Sequence, residues 1–258
     1  MKLLIKIGGT LLESDETRRS LALQAANLAA EGRRTVLVHG GGKRLSRYLE
    51  QSGYKSEFRN GLRVTPPEIL DAVLRVFAGS VNHHFVAELG AAGARAVGLS
   101  GIDAGLVQAV QLDPALGAVG RVEKVDPALL NLLTENGFTP VVACIAGGTD
   151  GGIYNVNADQ MAAACGAGFE ADELIFLTDV GGVLDGEGRA LPRLTCDQAE
   201  ALIASGVAHG GMEAKLRAAM SAVQTGAERV RIVSGAEPDI LHRLLGGEDI
   251  GTILVNVP

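Results

Sequence analysis

The sequence predicts an α/β fold with a mainly parallel central sheet, and three observations carry that prediction. Short β-branched or leucine-rich runs alternate with longer helical patterns. Several short runs are apolar throughout and bounded by glycine, the pattern of strands covered on both faces. Glycine, at 35 of 258 residues, is nearly double its usual share of about 7% and clusters in short runs.

The chain opens with a βαβ unit: a strand at residues 3–7, a helix around 17–30 and a strand at 35–38. Further strands are expected at 139–143, 173–177, 229–233 and 252–255, all read as parallel. Helices are expected near 66–89, 127–136, 158–167, 196–204, 212–225 and 238–245. Pro66, Pro127 and Pro238 then lie in first turns, where a missing N–H is tolerated. Segments 54–64 and 107–125 sustain no helical pattern and read as hairpins or lids over a site. No repeat or low-complexity linker divides the chain. A soft boundary falls near 168–171.

Hydrophobic residues at 47% and charged residues at 21% describe an ordinary globular chain, long enough for one large domain or two joined lobes. A net charge of -7 argues against a nucleic-acid surface, which relies on lysine and arginine to displace counterions. A small anion could still bind where positive groups are set locally against the global sign. Aromatic residues at 3%, with tryptophan absent, leave little for base-stacking platforms. Cys144, Cys165 and Cys196 share no metal-ligand or redox spacing and read as free thiols in a reducing cytosol. No apolar stretch approaches the roughly 20 residues of a membrane span. A cytoplasmic protein with no membrane and no nucleic-acid partner is the expectation.

Five constellations bear chemistry. Lys6-Ile7-Gly8-Gly9-Thr10 ends the opening strand, where a doubly wound sheet binds ligands and glycines let backbone amides approach an anion. Lys6 interrupts an apolar strand, so its ammonium faces a counter-charge or a ligand unless the strand is an edge open to water. His39-Gly40-Gly41-Gly42-Lys43 joins the second strand to a helix, a cradle of unpaired amides at the dipole's positive end; His39 reads as structural. Asn155-Val156-Asn157-Ala158-Asp159 leads into a helix that Asn157 caps, and Asp159 sits in its first turn. That segment serves capping alone or ligates substrate as well. Thr178-Asp179-Val180-Gly181-Gly182-Val183 is a flexible loop at a strand's carboxyl end, suited to a nucleotide's ribose and phosphates. Gly210-Gly211-Met212-Glu213-Ala214-Lys215 opens a helix with Lys215 near the end of its first turn, unfavourable against the dipole unless a phosphate binds there. The alternative is an ordinary solvated lysine.

Together with Asn60-Gly61-Leu62-Arg63-Val64-Thr65 and Val97-Gly98-Leu99-Ser100-Gly101, these motifs span the chain in an order that resembles the amino-acid kinase family, and within it the branch acting on N-acetyl-L-glutamate. The resemblance implies a three-layer αβα sandwich with a sheet of about eight strands. It implies one continuous catalytic domain, with a lobe at 1–170 for the acyl acceptor and a lobe at 171–258 for ATP with Mg²⁺. By the same resemblance Lys6 and Lys215 stabilise the transferring phosphoryl group and Asp159 holds both lysines. Gly8 and Gly9, with Gly41 and Gly42, offer amides to the phosphates and the acceptor. Arg63 and Asn155 bind the acceptor's carboxylate and acetamido portion, and Asp179, Gly181, Gly182 and Gly211 contact the nucleotide. No residue is assigned as a protein metal ligand. The implied reaction is ATP-dependent phosphorylation of the γ-carboxylate of N-acetyl-L-glutamate in arginine biosynthesis. His83 stands where many relatives carry lysine. The chain begins at its first strand, without the additional helix of arginine-inhibited hexamers, so the resemblance implies a homodimer insensitive to arginine. Rival readings are a kinase for a carrier-bound aminoadipate or glutamate, and a non-catalytic effector-binding domain that needs none of Lys6, Asp159 and Lys215.

Overall fold

A strand that is apolar on both faces must be covered on both faces, and the opening segment meets that demand. β1 (Lys2–Ile7) holds Leu3, Leu4, Ile5 and Ile7 at no more than 1% exposure. The computed structural model describes residues 1–255; the last three positions of the expected 171–258 lobe lie outside the described residues. Ser14 caps α1 (Asp15–Ala30) by accepting from the Thr17 N–H at 3.3 Å, two residues ahead of the predicted start. β2 (Arg34–His39), α2 (Gly42–Gln51) and the short hairpin of β3 (Phe58–Arg59) and β4 (Leu62–Arg63) follow.

The single helix expected at 66–89 is three pieces. α3 (Pro67–Val73) passes through a π-helical stretch, Leu74–Val81, into α4 (Asn82–Ala91). A π turn carries one extra residue per hydrogen-bonded ring and often marks a functional site. Here it lays Phe77 and Val81 against Gly41, where a Cβ would meet them at 2.9 and 3.1 Å.

β5 (Ala96–Ser100), β6 (Val107–Gln111), β7 (Val119–Val125), α5 (Ala128–Glu135), β8 (Thr139–Ala143), β9 (Ile145–Gly147), β10 (Ile153–Val156) and α6 (Ala158–Phe169) complete the first half. The 107–125 hairpin forms as expected, and β9 and β10 join it in a small closed barrel. The second half is β11 (Glu173–Thr178), β12 (Arg193–Thr195), α7 (Cys196–Ala204), α8 (Gly211–Gln224), β13 (Arg229–Ser234), α9 (Ile240–Leu245) and β14 (Thr252–Val255). Pro66 and Pro127 are caps rather than first-turn residues, and Pro238 precedes the Asp239 cap of α9.

The main sheet has eight strands in the order β12-β14-β13-β11-β1-β2-β8-β5. α1 packs on α4 and α9 and α6 packs on α8, giving three layers. Strands from residue 173 onward occupy one half of the sheet, and the seam is the parallel ladder of β1 with β11. One expectation is corrected: β14 runs antiparallel to β13, pairing Val230 with Leu254 and Ile232 with Thr252. Gly251, at φ 76°, makes the reversal against the end of β13, where a Cβ would lie 2.4 Å from the Ile232 carbonyl. β12 follows β14 in its direction, so the six strands from β13 to β5 are the parallel ones.

His39 is wholly buried at the end of β2. The Asn82 amide Nδ2 donates to the Val141 carbonyl at 2.8 Å and to His39 Nε2 at 3.0 Å, which makes Nε2 the acceptor. Nδ1 therefore holds the proton and donates to the Gly40 carbonyl at 2.7 Å. Gly98 leaves room for the amide, since a Cβ there would lie 2.1 Å from Asn82 Oδ1. Burial lowers the His39 pKa to about 4. An unfolded chain takes up a proton near pH 6.5 that the folded one refuses, so this contribution to stability is complete above pH 6.5 and is lost as pH falls toward 4. Urea unfolding is expected to lose about 2 kcal/mol from this group between pH 7 and 5, while the His39 NMR signals stay those of a neutral ring. A ring that charges near pH 6.5 in the folded protein contradicts the assignment.

Candidate active site

Lys6, Asp159 and Lys215 are separated by more than two hundred positions of sequence and meet at one point. Lys6 is 5% exposed at the carboxyl end of β1, and its Nζ lies 2.7 Å from Asp159 Oδ1. Asp159 is held in the first turn of α6 by Asn157, whose side chain accepts from the N–H groups of Asp159 and Gln160 at 2.9 and 3.2 Å. Lys215, one turn into α8, brings its Nζ to 3.5 Å from Asp159 Oδ2 and 3.4 Å from the Gly211 carbonyl. Two ammonium groups thus share one carboxylate, and the buried cluster keeps one net positive charge. Burial lowers the Lys215 pKa, and Lys6 lowers it further against the opposing pull of Asp159. Such a cluster is completed by an anion.

The two glycine loops lie side by side because β1 and β2 are neighbours, with Ile7 opposite His39. A Cβ on Gly9 would lie 3.6 Å from the Gly42 nitrogen. Among the described residues, the N–H groups of Gly9, Thr10, Gly41, Gly42 and Gly211 have no protein partner. Gly8 departs from its expected role: its N–H donates to the Leu177 carbonyl at 2.9 Å and docks the loop onto β11. The backbone of Gly182 is likewise used in packing, since a Cβ there would lie 2.9 Å from Thr252 Oγ1. Gly181 faces open space, and Asp179 is exposed beside it. Burial opposes ionisation of Asp179, but its own N–H, Thr178, Thr10 and the field of Lys215 together lower its pKa.

A cavity of about 180 Å³ opens beside Gly41 and Gly42, bounded by Phe58, Arg63, Phe77, Cys144 and Asn155. That is below the roughly 300–1,000 Å³ of sites for drug-sized ligands, so its occupant is small. Arg63 is 8% exposed and, among the described residues, has no carboxylate partner. It donates to the Gly42 carbonyl at 3.1 Å, to Ser46 Oγ at 2.8 Å and to Ser56 Oγ, and lies 4.6 Å over the Phe58 ring. Burial lowers its pKa. A buried guanidinium without a counter-ion is an anion receptor. Cys144 forms a neutral wall, its thiol pushed up to about 12 by burial.

The sequence signature described as the amino acid kinase family matches residues 1–234. This chain belongs to the amino acid kinase family. Within the family it is 59% identical to a protein named acetylglutamate kinase from Solibacter usitatus, over 99% of both chains. It is 44% identical to one from Acidobacterium capsulatum over 95% of both. Among solved structures, Streptococcus mutans smu.665 superposes with a TM-score of 0.86 at 27% identity over 99% of each chain. N-acetylglutamate synthase from Neisseria gonorrhoeae, complexed with coenzyme A and N-acetyl-glutamate, superposes at 0.88 and 27% identity, over all of this chain and 60% of that one.

An amino acid kinase uses ATP, and the loop that the sequence assigned to the nucleotide carries two exposed apolar side chains. Val180 and Leu184, in the 179–184 loop, are apolar yet 42% and 50% exposed. His83 is exposed on α4 with its ring against the Ala78 and Gly79 carbonyls at 3.1 and 3.0 Å, outside the cluster. A groove of about 500 Å³ between β7, α6 and α8 holds none of the three cluster residues. Replacing Asp159 by Asn removes the charge that steadies Lys215, so the alkaline fall in the pH profile of turnover is expected to move to lower pH. An unmoved profile in Asp159→Asn breaks the link between Asp159 and Lys215.

Proposed function

We propose that this chain catalyses ATP-dependent phosphorylation of the γ-carboxylate of N-acetyl-L-glutamate, giving N-acetyl-L-glutamyl 5-phosphate and ADP in arginine biosynthesis. The observation that carries this reading is the cluster of Lys6, Asp159 and Lys215 lying between the Arg63 cavity and the exposed 179–184 loop. Arg63 takes the α-carboxylate and Asn155 the acetamido portion, while Asp179, Gly181 and the Gly211 amide face the nucleotide. The lobe at 1–170 binds the acceptor and the lobe at 171–258 binds ATP, a division that follows the seam between β1 and β11.

The acceptor is its own nucleophile, since a γ-carboxylate with a reference pKa of about 4.3 is ionised at neutral pH. No general base is required. Both Asp159 oxygens are engaged by lysines, so Asp159 organises rather than abstracts. Phosphoryl transfer spreads charge over equatorial oxygens, and the task of the protein is positioning and fixed positive charge. Lys6, Lys215 and the unpartnered amides of Gly9, Gly41 and Gly42 supply both. These donors suit phosphate oxygens, and no three His, Cys, Asp or Glu side chains among the described residues gather into a metal cage. Mg²⁺ bound with the nucleotide would neutralise charge on its phosphates.

A homodimer and a cytoplasmic location complete the proposal. β5 ends the sheet with one ladder edge open to a second copy, and no helix among the described residues is long and apolar enough to cross a membrane. The likeness to a synthase favours a second reading, an effector-binding domain without chemistry; it binds N-acetyl-L-glutamate but releases no ADP. A coupled ADP assay over free N-acetyl-L-glutamate, glutamate, aspartate and UMP, with hydroxylamine trapping of the acyl phosphate, decides between them. Turnover with only a carrier-linked acid overturns the proposal. Lys215→Ala is expected to lower turnover at least about 100-fold, the loss of one preorganised donor; unchanged turnover leaves Lys215 a structural partner of Asp159 and removes it from the chemistry.

A further inference from the structure

Thr65 has no exposed surface, yet its hydroxyl lies between the Arg63 backbone carbonyl and the Asn155 side chain, in the two residues assigned to the acceptor. Its backbone is fixed first. The Thr65 N–H donates to the Leu116 carbonyl at 2.8 Å, and the Ala118 N–H donates to the Thr65 carbonyl at 2.7 Å. Gly117 lies between them at φ 69°, where a Cβ would come within 2.4 Å of the Thr65 carbonyl, so a glycine there is what lets the two segments meet. The Asn155 N–H donates to the Ala118 carbonyl at 2.8 Å, which carries the same ladder to the other wall of the cavity.

The hydroxyl then settles an orientation. Thr65 Oγ1 is 2.7 Å from the Arg63 carbonyl, which can only accept, so the single hydroxyl hydrogen is committed to it. What remains on Oγ1 is lone pair. The Asn155 carboxamide lies 3.1 Å away and must present its Nδ2 to that lone pair, not its oxygen. Asn155 Oδ1 has no hydrogen-bond partner among the described residues, and Asn155 lines the acceptor cavity with Arg63.

We infer that Thr65 is a positioning residue that turns the Asn155 carbonyl oxygen toward the acceptor and thereby selects an acceptor bearing an N–H at that point. The inference rests on the acceptor reading above. With one carboxylate held by Arg63 and the other directed at the lysine cluster, the acylamino N–H is the donor left to meet Asn155 Oδ1. Without the Thr65 hydroxyl the carboxamide can flip, and its NH₂ then suits an acceptor carrying oxygen instead.

The test compares N-acetyl-L-glutamate with its ester analogue 2-acetoxyglutarate, in which oxygen replaces the N–H, across wild type, Thr65→Val and Thr65→Ser. Thr65→Val is expected to raise KM for N-acetyl-L-glutamate about 10-fold or more and to shrink the amide-over-ester ratio of kcat/KM about 10-fold, with KM for ATP within about twofold. Thr65→Ser, which restores the hydroxyl, returns the ratio to within about threefold of wild type. A ratio that stays at its wild-type value in Thr65→Val, whatever happens to KM, overturns the inference and leaves Thr65 a packing residue. Should Thr65→Val not fold, the wild-type protein decides: one slowly exchanging Asn155 side-chain proton in ¹⁵N NMR supports the fixed orientation, and two rapidly exchanging ones overturn it. Wild-type protein that does not turn over N-acetyl-L-glutamate defeats the acceptor reading, a different outcome from an unchanged ratio.

Discussion

A carboxylate held between two ammonium groups, with little water near it, is the constraint on which the site depends. Asp159 is the carboxylate that Lys6 and Lys215 share, and two buried cations without a shared counter-charge repel one another. The arrangement is also incomplete. One positive charge remains after the pairing, and the lowered pKa of Lys215 records that burial outweighs the help it receives. A phosphoryl group in transit brings the charge that the cluster lacks, and gains most when that charge is spread over several oxygens.

Topology brings the partners together at low cost. β11, β1, β2 and β8 run parallel and adjacent, so their carboxyl ends reach one edge of the sheet. Asp179, Lys6, the three glycines after His39 and Cys144 all follow from that one fact. α6 packs on β1 and on α8, so the first turn of α6 is carried to the same edge as the start of α8. The neutral His39 ring, locked by Asn82 and roofed by Gly98, ties β2 to α4 and β8 without adding a charge near the acceptor cavity.

Much of this was legible in the sequence, and what was not has physical reasons. Lys6 stood out because an apolar strand does not tolerate an idle ammonium, and Lys215 because a cation early in a helix opposes the dipole. The capping role of Asn157 follows from residue type alone. β9, β10 and β12 have three or four residues each and too few alternations to register as strands. The π stretch in α3–α4 keeps an apolar pattern close to that of an ordinary helix, and its reason lies in Gly41, distant in sequence. The reversal at Gly251 looked like any other glycine-bounded strand entry. Gly8 and Gly9 are identical in type; only the Leu177 carbonyl, on a strand distant in sequence, separates a docking amide from a free one.

The overall charge of -7 and an anion-seeking site are reconciled by burial. Exposed carboxylates act through water and salt, and their fields fade over about 8 Å at physiological ionic strength. Arg63 and the lysine cluster act from positions where solvent screens far less, on ligands that approach to hydrogen-bond distance. The surface sign therefore bears on which macromolecules stay away, whereas the sign of a few groups under the sheet edge decides which small molecule is held. Formal charge summed over the chain misses that difference because it counts a buried ammonium and an exposed carboxylate as equals.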